Sequence, residues 1–287
     1  MRVALVVVFA TSVARAEPHH CVDERGAHLI LDETLVGITN PLGVENQLQL
    51  YACWPLVETP GLLFDYTNVE LGLYDNLSPI YVQQGAFVQV TPLSPLVVRA
   101  EVAGVQYWPL PIDGAGYYAV SGYRADFRDA ALPAARGGSA TGVEAGSSVT
   151  LQGALPLAPR LGLVASDTLN PEYWRLGDGA YWVNERRDVI LARSDWLVKN
   201  TAALLVEVKR APATLRAGVT DDFTAVPRAG YAANLVGGLA TLDVRHPTPS
   251  LHEVSAFVRV GDYTAHAFRR GVSVFFGLSA VWERLRG

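Results

Sequence analysis

Residues 271–283, GVSVFFGLSAVWE, alternate between two kinds of side chain with hardly a break. Val272, Val274, Phe276, Leu278, Ala280 and Trp282 fall on one side, and Gly271, Ser273, Phe275, Gly277, Ser279 and Val281 on the other. A period of two is strand geometry, because successive side chains leave a pleated strand on opposite faces; a helix spaces its apolar residues three and four apart. The pattern recurs along the chain. Val69, Leu71 and Leu73 oppose Asn68, Glu70, Gly72 and Tyr74; Leu96, Val98, Ala100 and Val102 oppose Arg99, Glu101 and Ala103. Val143, Ala145, Val149, Leu151 and Leu155 oppose Glu144, Ser148, Thr150 and Gln152, and Ala213, Leu215, Ala217 and Val219 oppose Thr214, Arg216, Gly218 and Thr220.

Many strands, each apolar on one face, must hide that face from water. A sandwich presses two such faces together, whereas a membrane barrel turns them to lipid and encloses the polar ones. The segments run about 9 to 14 residues, matching the ~9–11 of a tilted bilayer crossing rather than the ~5–6 of a soluble strand. Tyr51, Trp54, Tyr107, Trp108, Tyr231, Tyr263 and Trp282 fall near segment ends, where an aromatic girdle at the headgroup level is expected.

The expected fold is therefore all-β, an antiparallel up-and-down transmembrane β-barrel of about twelve strands. The spans are 28–38, 43–55, 66–75, 81–91, 96–108, 143–155, 160–169, 197–208, 213–221, 229–242, 251–262 and 270–283. The count becomes ten if weak members such as 28–38 drop out, or fourteen if part of 172–192 pairs as two more strands. Short Pro-marked connections at 55–61, 92–95, 156–159, 210–213 and 247–249 alternate with the others, which include long loops at 109–142 and 170–195. Compact turns at one end and long loops at the other are the habit of barrels with short periplasmic turns. The Gly/Ala/Ser-rich stretch 130–142 is expected to be a mobile outer loop.

The first sixteen residues read as a secretory signal: Arg2, an apolar run from Val3 to Ala10, and the small-x-small site Ala14-Arg15-Ala16. The barrel domain is then 17–287. Losing Arg2 and Arg15 takes the formal charge from −5 to −7, and there is no basic patch, so nucleic acid is excluded as a partner. Cys21 and Cys53, the two cysteines, are a candidate disulfide in an exported chain.

On this pattern, nearly the whole mature chain resembles bacterial outer-membrane β-barrel proteins. NPLGVENQLQLYACWPL, 40–56, is similar to a stretch of uncharacterised exported barrel proteins of myxobacteria-like organisms. The resemblance implies the bacterial outer membrane as location, and as partners the barrel-assembly machinery and outer-membrane lipid and lipopolysaccharide. The last strand departs from the family habit of a terminal aromatic, since Glu283-Arg284-Leu285-Arg286-Gly287 follow Trp282.

No catalytic or metal set emerges, and no cofactor is called for. Gly114-Ala115-Gly116-Tyr117-Tyr118-Ala119 matches a loose dinucleotide fingerprint but lacks the strand before and helix after that the chemistry needs. His19-His20-Cys21 is the one histidine cluster, in a segment without regular pattern. Asp221, Asp222 and Asp262 have oxygen ligands for Ca²⁺, although solvated loop carboxylates are the favoured reading. Ser255 and His252 point to opposite faces, which argues against a hydrolytic pair. Loop 173–196 mixes Tyr173, Trp174, Tyr181, Trp182 and Trp196 with Arg175, Arg186, Arg187 and Arg193; it reads either as a ligand-contacting lid or, the favoured reading, as a hairpin above the girdle with its arginines toward lipopolysaccharide phosphates.

The expected function is a channel or passive transporter for small solutes. The residues expected to line the lumen are Glu45, Gln47, Gln49, Glu70, Gln83, Gln89, Arg99, Glu101, Gln152, Arg216, Glu253 and Arg259. The alternatives are a lipid-acting outer-membrane enzyme, or a structural or adhesive barrel without transport.

Overall fold

The computed structural model describes residues 28–57, 63–64, 67–128, 131–248 and 251–284, leaving outside it the signal segment, His19-His20-Cys21 and the chain's end. Twelve long strands pair into one closed antiparallel barrel: β1 (His28–Thr39), β2 (Leu42–Pro55), β3 (Asn68–Ser78), β4 (Tyr81–Leu93), β5 (Leu96–Tyr107), β7 (Ala140–Ala158), β8 (Leu161–Leu176), β11 (Ser194–Arg210), β12 (Ala213–Val226), β13 (Tyr231–Thr248), β14 (Leu251–Ala265) and β15 (Val272–Arg284). Closure falls on β1, whose Leu35 stands opposite Asn46 of β2 on one side and Leu278 of β15 on the other. No barrel edge is left unpaired for another chain to extend.

The register shows the tilt. A row of paired residues leaving Glu33 through Leu48, Asp75, Gln84, Gly104, Val143 and Arg175 reaches Ser194, the external end of β11. The row leaving Glu33 the other way, through Ala280, Val254, Val244 and Ala213, reaches Arg210 at the opposite end of the same strand. Such a slip is possible only if the strands lean to the axis, by about 35–45° in barrels generally.

Two-residue alternation sorts the side chains as the sequence does. Leu71, Leu73, Val219 and Leu278 stand outward, each more than half exposed. Their neighbours in sequence, such as Glu70, Tyr74 and Thr220, point inward and are buried. A surface this apolar around a closed barrel is a lipid-facing band. Connections 94–95, 159–160 and 211–212 are two residues long and share an end with the start of β1 and the end of β15. The opposite end carries 108–139 and 177–193.

The structure corrects several expectations. Strands run further toward the long-loop end than the apolar pattern does: β8 continues to Leu176, β11 begins at Ser194, and β12 runs to Val226. Beyond the bilayer the outer face need not be apolar, so the signal fades before the strand does. Two more strands, β9 (Tyr181–Asn184) and β10 (Val189–Ala192), do pair within 172–192, but as a hairpin outside the barrel wall, joined by β6 (Ala119–Val120) in a small sheet. Trp54 points outward as a girdle residue should, but Tyr51, Tyr107, Tyr231 and Tyr263 lie on the inward register of their strands, with Tyr107 wholly buried. Residues 131–142 are anchored at two points: Leu132 is buried with Tyr118 and Phe127, and Ala140 opens β7, while the turn Ala134–Arg136 between them buries no residue. Asp221 and Asp222 are successive strand residues and so face opposite ways, Asp222 inward onto Arg259.

Candidate functional site

The hairpin β9–β10 turns into the barrel mouth. Its faces are both covered: Trp182, Val189 and Leu191 pack on Tyr107, Trp174 and Leu197 of the wall, while Val183 and Ile190 pack on Tyr118, Phe127 and Leu132 of the 108–139 loop. The rings of Tyr107 and Trp174 lie 6.1 and 6.0 Å from that of Trp182. Loop 108–139 is pinned as a cap over the hairpin. The Tyr123 hydroxyl donates to Asp195 Oδ2 at 2.5 Å, and burial together with that carboxylate pushes the phenol pKa up, so it keeps its proton.

The tip of the hairpin, residues 185–188, reaches both sides of the wall. Arg186 Nε donates to Glu45 Oε2 on β2 at 3.0 Å and its Nη1 to Gln83 Oε1 on β4 at 2.6 Å. Arg187 Nε donates to Glu172 Oε2 on β8 at 2.9 Å. Asp188 accepts from Arg269 in the β14–β15 connection at 3.0 and 3.1 Å. Glu144 on β7 and Glu172 are wholly buried. Two cations on one turn thus hold the hairpin across the lumen by charge-assisted bonds, the strongest class available to side chains.

All twelve residues expected to line the lumen lie on the inward register of their strands. The structure joins them into small groups rather than one site. Glu45 accepts from Gln47, Tyr81 and Arg186. Glu70 accepts from Gln89 at 2.9 Å. Arg99 bridges Glu101 and Gln49, with its Cζ 3.7 Å from the Phe87 ring centroid. Arg216 joins Glu207 and Asp243, Arg259 joins Asp222, Glu253 meets Arg245 at 3.7 Å, and Gln152 Nε2 donates to the Ser94 carbonyl. Opposite charges therefore meet along and across strands down the interior, whereas both carboxylate oxygens of the buried Glu144 lack a hydrogen-bond partner among the described residues.

Sequence reasoning missed the hairpin's part in this. The arginines expected to face lipopolysaccharide divide: Arg186 and Arg187 point into the lumen, whereas Arg175 and Arg193 stay at the outer rim. Trp174 and Trp182 are buried core, not girdle. Cys53 is buried on the inner face and does not stand as a free thiol; Cys21 lies outside the described residues.

No family model and no curated protein matches the chain. Solved structures do. An outer-membrane channel from Pseudomonas putida F1 is 10% identical over 94% of this chain and 100% of that one, with a TM-score of 0.45. The NanC porin is 9% identical over 89% of this chain and 100% of that one, with a TM-score of 0.43. The beta domain of the Bordetella autotransporter Brka is 11% identical over 89% and 98%, with a TM-score of 0.42. The deciding observation is the closed twelve-strand wall with its apolar face outward. The chain is an outer-membrane β-barrel protein. In this barrel the polar faces of all twelve strands enclose the interior, and the hairpin occupies the external half of it.

Proposed function

We propose that this outer-membrane barrel is a channel for small polar solutes, closed on the external side by hairpin β9–β10. The observation that carries the reading is the pair Arg186–Glu45 and Arg187–Glu172, which fastens the hairpin to β2 and to β8 without any covalent link. Ion pairs of this kind can exchange for others, so the hairpin is a removable obstruction rather than part of the wall. Besides Glu45 and Gln83, which hold the hairpin tip, the other expected lining residues present charge and amide groups to whatever passes, and such groups set selectivity by contact with the solute. Outer-membrane lipid, lipopolysaccharide and the barrel-assembly machinery are the partners of this reading.

The test is single-channel recording in planar bilayers with the wild type and with R186Q/R187Q. The expected result is small or rare openings for the wild type and larger, longer ones for the double variant. Folding of both is checked by heat-modifiable gel migration. Correctly folded barrels of both kinds that show no openings would overturn the channel.

A further inference from the structure

Charge beneath the hairpin does not balance. Arg99 pairs with Glu101, Arg186 with Glu45 and Arg187 with Glu172. Glu144 is left over. It takes the inward phase of β7, opposite Ala103 of β5 and Trp174 of β8. It is wholly buried, and neither carboxylate oxygen has a hydrogen-bond partner among the described residues. Taking a carboxylate out of water without a partner is costly. The closed arrangement therefore carries a penalty at Glu144 that the arginine pairs of the hairpin offset.

The hairpin is what covers this place. Its Trp182 packs on Trp174, the register partner of Glu144, and its Arg187 holds Glu172, which stands opposite Gly146 two residues along from Glu144. If the hairpin withdraws, Arg186 and Arg187 go with it. Glu45, Glu144 and Glu172 then face one opening from β2, β7 and β8, with the rings of Tyr81, Tyr107 and Trp174 uncovered beside them. Asp188 leaves as well, but its partner Arg269 belongs to the β14–β15 connection and not to the strand wall. Lys199, inward on β11 and opposite Asn170, stands one inward step beyond the level of Glu172, nearer the short-turn end. The uncovered seat is thus anionic and aromatic together, the chemistry that holds alkylammonium groups.

We propose that this seat receives a solute carrying two or more ammonium groups, which replaces Arg186 and Arg187 at Glu45 and Glu172 and gives Glu144 the cation it lacks. A ligand that binds only the open arrangement shifts the population toward it by the strength of that binding. The cationic solute is then both the opener and the cargo, and Glu144 favours it because that carboxylate gains a partner only when the solute arrives. This names the solute class of the channel reading and rests on it.

The experiment places the full-length barrel in planar bilayers under a KCl gradient and, separately, in zwitterionic nanodiscs for acrylamide quenching of tryptophan. Spermidine is the probe, with choline at equal ionic strength as the monovalent control. Spermidine is expected to raise the open probability of the wild type about tenfold and to increase quenching, as Trp174 and Trp182 are uncovered; choline is expected to do neither. R186Q/R187Q should open without spermidine and prefer cations in its reversal potential. E144Q should need about tenfold more spermidine. Where E144Q fails the heat-modifiable gel check, E144A carries the comparison. No openings in any variant removes the channel, and the quenching arm still decides the seat. Quenching unchanged by spermidine, equal spermidine sensitivity in wild type and E144Q, or anion preference in R186Q/R187Q overturns the proposal while leaving any observed channel standing.

Discussion

Arg187 forks onto Glu172: Nε donates to Oε2 at 2.9 Å and Nη2 to Oε1, and the carboxylate is wholly out of solvent. Trp174 Nε1 adds a bond to Oε2 at 2.9 Å, and Asn170 Nδ2 one to Oε1 at 3.2 Å. Every lone pair of the buried anion is thereby directed at a donor. Removing only the arginine leaves a buried charge with two neutral donors, which costs about 3–5 kcal/mol where a buried pair loses one partner. R187A should therefore lower the urea midpoint of the refolded barrel strongly, read by tryptophan fluorescence. R187M/E172Q, which removes both charges at similar volume, should lower it far less. Equal losses in the two variants would mean that packing, and not charge, holds the hairpin.

Gly72 lies on the inner face between Tyr51 and Phe87, its partners on the two neighbouring strands. A Cβ there would come within 2.5 Å of the Tyr51 Cβ and 2.7 Å of the Phe87 ring. Phe87 is also the ring beneath the Arg99 guanidinium. G72A should shift both rings at a cost of about 1–3 kcal/mol, as overpacking does. G104A, where nothing lies within 4 Å of the added carbon, should stay within about 0.5 kcal/mol of the wild type. The pair is read by the same urea titration, and a loss in G104A as large as in G72A would point to strand propensity instead.

Cys53 is buried on β2 with its Sγ 3.9 Å from Glu70 Oε1. With two cysteines in the chain, Cys21 is the candidate partner, and a bond between them would join the chain before β1 to the inner wall near the short-turn end. Thiol labelling of the denatured, exported protein should find no reactive thiol before reduction and two after it. Intact mass on the same sample reports whether the chain starts at Glu17. A labelled thiol before reduction rules the bond out.

How far the sequence could be read follows from which rule applied where. Within the bilayer, lipid demands an apolar outer face at every second residue, so Leu71 and Leu73 fix the inward direction of Glu70, and Leu215 fixes that of Arg216. The inward phase of the twelve residues named from the sequence was legible for that reason. Residue type without register misled: Tyr107 has a girdle residue's chemistry but the inward phase, and it became a wall for Trp182. The hairpin was illegible for a further reason. Tyr181 to Ala192 is surrounded by protein on both faces, so Val183, Ile190 and Trp182 are all buried and no polar face marks a direction. The turn Glu185-Arg186-Arg187-Asp188 looks like a solvated tip until the wall carboxylates Glu45 and Glu172, far away in sequence, are brought to it.

The outer face holds one pattern at odds with lipid. Asn200 Nδ2 donates to Asp167 Oδ1 at 2.6 Å, and both residues point outward beside Leu169 and Leu204. Asn46 meets Glu33 at 2.8 Å on β1 and β2, and Gln84 meets Asp75 at 3.5 Å on β3 and β4, in the same carboxylate-to-amide manner across neighbouring strands. An acid on the lipid face is costly, and an amide on the next strand, directly opposite for Asp75 and two positions off for Asp167 and Glu33, supplies the donor that water would otherwise give. N200L should thus strip Asp167 of its donor and destabilise the barrel by about 1–3 kcal/mol. D167L/N200L removes the need for a donor and should match or exceed the wild type, because an apolar pair suits the band better. Urea titrations in lipid vesicles decide it. A double variant as weak as N200L would mean that water, and not hydrocarbon, bathes the outer face at this height.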